Sequence, residues 1–180
     1  MTVRAAGGHA ADTQQVRVWD PLLRALHWAL AANFALAWLT GEAWIDVHEM
    51  AGYAIVAIVG VRALWGLLGP AHARFDAFVP SPRALFAYLR ALAAGRAPRY
   101  LGHNPAGGAM IVALLASLLA ASATGILTDS LGEGVEELHE LAANACLALV
   151  LVHLAGVIGT SLLHRENLVA AMITGCKRRA

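Results

Sequence analysis

Four long segments of this sequence are apolar and almost free of charge, and they constrain its fold more than any other feature. They cover approximately residues 22–39, 50–68, 107–128 and 138–163. A helix needs about 20 predominantly apolar residues to cross the hydrocarbon core of a bilayer, and each segment is close to that length. Since backbone polar groups inside a membrane must bond to one another, the segments are expected to be helical. The sequence therefore predicts an all-α integral membrane bundle of four transmembrane helices.

The composition agrees with a membrane protein. Of the 180 residues, 59% are hydrophobic and only 14% are charged, and the mean hydropathy is +0.61. The apolar share exceeds that of ordinary soluble domains, so membrane lipid is an expected partner. The net charge of +1 gives no basic surface for nucleic acid, which is excluded as a partner. The two cysteines match neither a disulfide framework nor a zinc motif, and the Cys-x-x-Cys-His motif of covalent haem attachment does not occur.

The distribution of charge predicts the orientation of the bundle. Basic residues of the N-terminal segment, the long loop between the second and third spans and the C-terminal segment all fall on one side. The positive-inside rule makes that side cytoplasmic, and with it both termini. The opposite loops carry acidic residues only: Glu42, Asp46, Glu49, Asp129, Glu133, Glu136, Glu137 and Glu140. This acidic face either attracts a basic soluble partner, such as a cytochrome c, or simply follows from the topology.

The segments outside the spans have predicted roles of their own. Residues 1–15 are expected to form a flexible cytoplasmic tail, residues 16–175 the membrane domain, and residues 176–180 a basic cytoplasmic tail. In the long inner loop, Ser81-Pro82 is typical of a helix start and Gly95 of a helix end. Four apolar residues between them share one face: Leu85, Phe86, Leu89 and Leu92. This pattern predicts an interfacial helix over about residues 82–94.

Four histidines lie within or at the ends of the spans: His27, His48, His139 and His153. Ionisable residues in membrane helices are costly and therefore mark functional sites. His139 and His153 are 14 residues apart in one helix, which is about 21 Å and nearly four turns. They face the same way at opposite depths. His48 lies at the depth of His139, and His27 lies at the depth of His153.

These depths define two pairs of imidazoles, and each pair suits the iron of a b-type haem held across a helix bundle. Zinc would need a more compact tetrahedral set. The sequence therefore predicts two b haems, one bound by His48 and His139 near the outer surface and one bound by His27 and His153 near the inner surface. A multi-pass diheme cytochrome that transports electrons across the membrane follows from this arrangement.

Two arginines are candidates to bind haem propionates. Arg62 follows His48 by 14 residues and lies on the same face of the second helix at the inner level, whereas Arg24 lies one turn before His27. Glycines interrupt the spans at Gly52, Gly60, Gly125, Gly156 and Gly159. They allow either the approach of a flat macrocycle or ordinary close packing of helices.

The remaining histidines and the tryptophans have simpler interpretations. Histidines outside the spans are expected to be solvated or bonded to backbone groups, and they are His9, His72, His103 and His164. His103 has an alternative role, because with Asn104 and Pro105 it opens the third helix where a quinone head group would reach the inner site. Four tryptophans are interpreted first as interface anchors and second as haem neighbours, and they are Trp19, Trp28, Trp44 and Trp65.

Several short motifs accompany these residues along the chain. They are Val18-Trp19-Asp20-Pro21 with Arg24, His27 and Trp28, His48-Glu49 with Gly52, Arg62 and Trp65-Gly66, Gly102-His103-Asn104-Pro105 with Gly107-Gly108, and His139-Glu140 with Asn144 and His153. The set resembles the prokaryotic cytochrome b561 family, which includes the b-type cytochrome subunits of nickel-iron hydrogenases. The resemblance covers residues 16–175 and implies that the same four histidines bind the haems.

The resemblance also implies a function. It indicates a diheme cytochrome of the bacterial inner membrane and the respiratory chain, exchanging electrons between a partner on the periplasmic side and a quinone, either ubiquinone or menaquinone. Two alternatives stay open: a membrane-anchor cytochrome b subunit of a periplasmic redox enzyme such as a hydrogenase, and a superoxide:quinone oxidoreductase. The acidic outer loops would repel the superoxide anion. The sequence leaves open whether the protein is an enzyme or purely an electron carrier.

Overall fold

A computed structural model of the chain describes residues 15–41, 43–131 and 133–179. Within these residues, four helices are long and apolar enough to cross a membrane. They are α1 (Pro21–Thr40), α2 (Ile45–Leu68), α5 (Pro105–Leu131) and α6 (Glu133–His164). Many of their large apolar side chains are exposed, as expected for helices that face lipid. The structure is mostly helical and agrees with the predicted membrane bundle.

Two of these helices begin five residues earlier than predicted. Helix α2 starts at Ile45 rather than residue 50, and α6 starts at Glu133 rather than residue 138. Acidic residues occupy the first turn of each helix, where they interact favourably with the helix dipole. A hydropathy pattern does not register this contribution, so it places the helix start at the first apolar run. As a result, His48 lies inside α2 rather than before it.

The shorter elements fill the inner loop and the chain ends. They are β1 (Gln15–Arg17), a 3₁₀ turn (Ala71–Ala73), α3 (Phe75–Phe78), α4 (Pro82–Ala93), α7 (Leu168–Thr174) and β2 (Cys176–Arg178). Helix α4 matches the predicted helix closely. The Ser81 hydroxyl accepts a hydrogen bond from the Ala84 amide over 3.2 Å, and the chain leaves the helix at Gly95 with a φ of 66°, a conformation that glycine adopts without strain.

The two strands correct the expectation of an entirely helical chain. Strand β1 pairs antiparallel with β2, and Val16 lies opposite Lys177. Residues 176–178 are therefore part of a small sheet and not of a basic tail. Such short strands carry no local signal, because the pairing joins segments at opposite ends of the sequence. Residues 1–14 and residue 180 of the predicted tails lie outside the described residues.

The four long helices are arranged as two hairpins. Helices α1 and α2 form one, α5 and α6 form the other, and α2 packs against α5. Over the described ranges, α6 does not pack extensively against α1 or α2. A buried cluster occupies the middle of the bundle, consisting of Ile55, Val59, Leu118 and Cys146. Histidine side chains bridge the space between α6 and the first hairpin above and below this cluster.

A buried carboxylate joins the chain ends to the inner loop. Glu166 is 9% exposed, receives a hydrogen bond from Arg99 over 2.9 Å and lies 3.5 Å from the ammonium group of Lys177. Lys177 also donates to the carbonyl of Tyr100 over 3.0 Å. Burial alone would raise the pKa of Glu166, but the hydrogen bond from Arg99 and the charge of Lys177 outweigh it and hold the pKa below its ordinary value.

We expect this cluster to make the free energy of unfolding depend on pH in the acid range. Because the pKa of Glu166 is lower in the folded protein, its contribution is complete above the ordinary glutamate pKa and is lost as the pH falls through the folded pKa. Glu166→Gln should lower the free energy of unfolding by about 3 kcal/mol at neutral pH. This is the lower end of the cost of breaking a buried ion pair, because Arg99 is partly solvated. Thermal unfolding in detergent, followed by circular dichroism from neutral to acid pH, measures the effect. The exposed Glu137→Gln is the control, and an unchanged acid profile for Glu166→Gln would contradict the prediction.

Candidate cofactor sites

The first candidate site lies between α2 and α6. The ring centroids of His48 and His139 are 5.9 Å apart, with an angle of 87° between the ring planes. The Nδ1 atom of His48 is 2.8 Å from the carbonyl oxygen of Ala37, and Nδ1 of His139 is 2.8 Å from that of Ala121. A carbonyl can only accept, so Nδ1 of each ring carries the proton. Each Nε2 lone pair is then free to bind a metal ion.

The second candidate site lies between α1 and α6. The ring centroids of His27 and His153 are 6.5 Å apart, with an interplanar angle of 56°. Trp28 packs edge-on against His27 at 5.1 Å. The Nδ1 atom of His27 is buried and has no hydrogen-bond partner. A buried polar atom without a partner is costly, which indicates that this ring serves a bound group.

The spacing of both pairs fits one metal ion between two imidazoles. An imidazole nitrogen binds a first-row metal at about 2.0 Å, so two such bonds in line place the ring centroids about 6.4 Å apart. The observed 5.9 Å and 6.5 Å lie on either side of this value. Among the described residues, no three histidine, cysteine, aspartate or glutamate side chains come together to form a metal site. Each pair therefore suits a metal whose other ligands come from a macrocycle.

Arg62 provides a buried cation without a hydrogen-bond partner at the inner end of α2. It is 4% exposed, and both Nη1 and Nη2 are buried without a hydrogen-bond partner. Its guanidinium lies 5.1 Å from the ring centroid of Phe75 and 5.8 Å from that of Phe78. Ring faces compensate only part of the cost of burying a charge, so a hydrogen-bonded anion would stabilise this side chain.

Comparison with known proteins establishes the family. The family model of prokaryotic cytochrome b561 matches residues 18–175. The chain belongs to the prokaryotic cytochrome b561 family. Two similar proteins are named probable Ni/Fe-hydrogenase B-type cytochrome subunits. The protein from Bradyrhizobium diazoefficiens is 23% identical, and the match covers 95% of this chain and 89% of that protein. The protein from Rhizobium leguminosarum bv. viciae is 24% identical, and the match covers 95% of this chain and 92% of that protein. No solved structure matches the chain significantly.

Family membership confirms the resemblance seen in the sequence. A b-type cytochrome carries haem b, so the family implies this cofactor for the chain. The unpaired guanidinium of Arg62, the partnerless Nδ1 of His27 and the spacing of the two imidazole pairs all fit that group. The assignment of His27, His48, His139 and His153 as its ligands stays a prediction.

Of the five glycines noted in the predicted spans, only Gly125 lies against another group of the described structure. A Cβ atom on it would lie 3.0 Å from Cε1 and 3.1 Å from Nδ1 of the His139 ring. A Cβ on Gly156 would meet nothing within 4 Å in the described part of the chain. The sequence left open macrocycle approach or ordinary helix packing, and the structure shows a third contact, the close approach of the His139 imidazole to Gly125.

Two expectations about the inner end are wrong, those for His103 and Trp19. His103 is not solvated, because its ring packs between Trp19 at 4.5 Å and Phe78 at 4.8 Å, and its Nδ1 atom is buried without a partner. Burial, with the nearby charges of Arg62 and Lys177, lowers the pKa of His103 to about 3. The Nε2 atom of His164 is likewise buried and unpartnered. Trp19 is 8% exposed and so is no lipid anchor.

The other members of those two groups have different environments. Trp44 is 67% exposed and Trp28 is 43% exposed, as expected for interface anchors. Trp65 instead donates to the carboxylate of Asp20 over 3.2 Å, which ties α2 to the start of α1. His72 is exposed. His9 lies outside the described residues.

Arg24 has a different environment from Arg62. Its Nη1 donates to the carbonyl oxygen of Ile173, while its Nε is buried without a partner. This contact directs the guanidinium towards the C-terminal end of α7. Of the two predicted propionate-binding arginines, only Arg62 has both terminal nitrogens unpaired.

The sequence interpretation missed the aromatic residues around Arg62. Phe75 and Phe78 lie in a loop without any pattern that pointed to a site. The available signal was Gly66, where a Cβ would come within 2.1 Å of the Phe75 ring. A glycine in an otherwise apolar helix often marks the close approach of another element.

Proposed function

We propose that this cytochrome b561 is a diheme electron carrier that connects a redox partner at the outer surface with the quinone pool. The observation that carries the proposal is the presence of two imidazole pairs at opposite ends of α6. His139 and His153 are 14 residues apart, or about 21 Å along the helix axis. Two cofactors at that separation span much of an apolar core of about 30 Å.

In this proposal His48 and His139 bind the outer haem, and His27 and His153 bind the inner haem. When bound, haem b supplies reversible one-electron oxidation and reduction. The protein orients the ligands, since the carbonyls of Ala37 and the α5 backbone hold the outer imidazoles by Nδ1. Second-shell hydrogen bonds of this kind fix the tautomer and ring orientation of a metal-binding histidine.

The apolar core cluster has a part in this function. Cys146 is fully buried and is seven residues from both His139 and His153. With Ile55 and Val59 it fills the bundle between the two sites. A packed apolar layer excludes water from the path between the cofactors and prevents protons or small ions from following the electron.

Arg62 is the proposed partner of an inner haem propionate. Its two buried, unpaired terminal nitrogens match the two oxygens of a carboxylate. Arg24 is the weaker candidate, because its guanidinium already donates to Ile173. An anion bound by Arg62 would also compensate the buried positive charge that lies near the Phe75 and Phe78 rings.

The proposed orientation places the protein in the bacterial inner membrane with both termini in the cytoplasm. The end of the bundle that contains Arg62 carries the basic loops, and the end that contains His48 carries acidic residues. A basic donor such as a cytochrome c fits the acidic face better than superoxide, an anion that this face would repel. The quinone, ubiquinone or menaquinone, would bind near the inner haem at residues 103–105.

A second candidate function is a membrane-anchor cytochrome for a periplasmic redox enzyme. It is favoured by the names of the two relatives, both probable Ni/Fe-hydrogenase B-type cytochrome subunits. The same haem arrangement serves either role, so the partner distinguishes them. Stoichiometric co-purification of a redox enzyme from native membranes would support the anchor, whereas purification as a single chain would support the carrier.

The haem content of the purified protein tests the proposal directly. We expect two b haems per chain in a pyridine haemochrome assay, because each imidazole pair has the spacing for one iron. Added quinol should reduce both haems, the inner one first. One haem per chain, or none, would contradict the diheme proposal, and two haems that quinol fails to reduce would contradict the link to the quinone pool.

A further inference from the structure

Two buried donors without partners meet around Phe78. Both terminal nitrogens of Arg62 lack a hydrogen bond, and so does Nδ1 of His103. The guanidinium lies 5.8 Å and the His103 ring 4.8 Å from the Phe78 centroid. The two groups belong to different elements, since Arg62 is in α2 and His103 precedes α5. Their convergence is a property of the tertiary structure.

The His103 ring is held in a fixed orientation. Trp19 also packs against it, with ring centroids 4.5 Å apart. Trp19 is itself fixed, because its amide donates to the carbonyl of Gly175 over 3.1 Å beside the terminal sheet. These contacts keep Nδ1 buried, and a buried polar atom is costly unless a ligand or a water molecule bonds to it.

The chemistry of the surroundings identifies the ligand as an anion. Arg62 is buried as a cation, and Lys177 adds a second positive charge close enough to lower the pKa of His103. The carboxylate of Asp20 contributes a negative charge near Arg62, but its Oδ1 accepts from the Leu23 amide and the Trp65 indole, and neither terminal nitrogen of Arg62 is hydrogen-bonded to it. A water molecule could satisfy Nδ1 and would leave the guanidinium charge uncompensated. A carboxylate satisfies both.

We propose that Arg62 and His103 bind the same carboxylate, a propionate of the inner haem, with His103 donating from Nδ1. This inference rests on the inner haem of the proposed function. His103 is thereby a positioning residue: it orients the propionate and, together with Arg62, offsets its negative charge. A less compensated propionate stabilises the oxidised, more positive iron. Removing either donor should therefore lower the potential of the inner haem and leave that of the outer haem unchanged.

Potentiometric titration of the purified diheme protein tests the proposal. Arg62→Gln should raise the oxidised-to-reduced ratio of the inner haem at a fixed potential on the order of tenfold, and His103→Leu on the order of threefold. His103→Asn keeps an amide donor near the position of Nδ1 and should restore the wild-type value. Arg83→Gln is the matched control, because Arg83 is an exposed cation of the same inner loop. Should His103→Leu not retain haem, His103→Gln, whose amide reaches the Nε2 position instead, replaces it.

Infrared redox-difference spectra give a readout that a purely structural role would not change. With haem labelled by ¹³C at the propionate carboxyls, the labelled bands should shift in His103→Gln and return in His103→Asn. Two bound haems with an unchanged inner potential and unchanged labelled bands in His103→Gln would overturn the inference while leaving the proposed function intact. Absence of the inner haem from the wild-type protein would instead count against the proposed function itself.

Discussion

Replacing His48 by alanine is expected to remove the outer haem and leave the inner one, and replacing His27 is expected to do the reverse. In the proposed arrangement each haem has two ligands from different helices, and one remaining imidazole would not hold a low-spin iron in place. The haem content should fall from two per chain to one in each variant. Pyridine haemochrome assays measure the loss, and reduced-minus-oxidised spectra identify which haem is missing.

The partner residues provide the internal check. His139→Ala should give the spectrum of the His48 variant, and His153→Ala that of the His27 variant. His72→Ala, which alters an exposed histidine, should keep both haems. The pairing would be refuted if the His48 and His139 variants lost different haems.

Gly125→Val is expected to remove the outer haem although it changes no ligand. A Cβ at this position already lies 3.0 Å from the His139 ring, and the two methyl groups of valine extend further. They would displace the imidazole and disturb its hydrogen bond to Ala121, at a cost of about 1–3 kcal/mol for overpacking. Haem content and the difference spectrum should match those of His139→Ala.

Gly156→Val is the matched control for this change. It places the same side chain in the neighbouring helix α6, 17 residues beyond His139, at a position where a Cβ meets nothing within 4 Å in the described structure, so the outer haem should remain. Gly125→Ala should have an intermediate effect, because its single methyl requires a shift of only a few tenths of an ångström. Loss of the outer haem in Gly156→Val would show that general damage to the bundle explains the result.

Much of the membrane architecture could be predicted because it depends on local pattern. Runs of apolar residues locate spanning helices, and Ser81 with Pro82 marked the start of α4. Residue counting along one helix also gave depth, since each residue advances about 1.5 Å. In the structure the histidines that were grouped by depth have their rings in contact, His27 with His153 and His48 with His139.

Other parts of the protein could not be predicted from local pattern. The exact starts of α2 and α6 depend on acidic first turns, which hydropathy does not register. The sheet between β1 and β2 joins segments from opposite ends of the chain. The ion cluster at Glu166 likewise combines the inner loop with the C-terminal strand.

The imidazole pairs depend both on the sequence and on the tertiary structure. The sequence by itself determined that histidines occur at two depths in apolar helices, because a helix converts residue number into depth and face. Only the tertiary structure decided which groups surround them. These are the His139 ring close to Gly125, the guanidinium of Arg62 without a hydrogen-bond partner, and His103 buried against aromatic rings. The physical reason is that helical periodicity acts within one segment, whereas packing between helices and loops depends on contacts that no local pattern encodes.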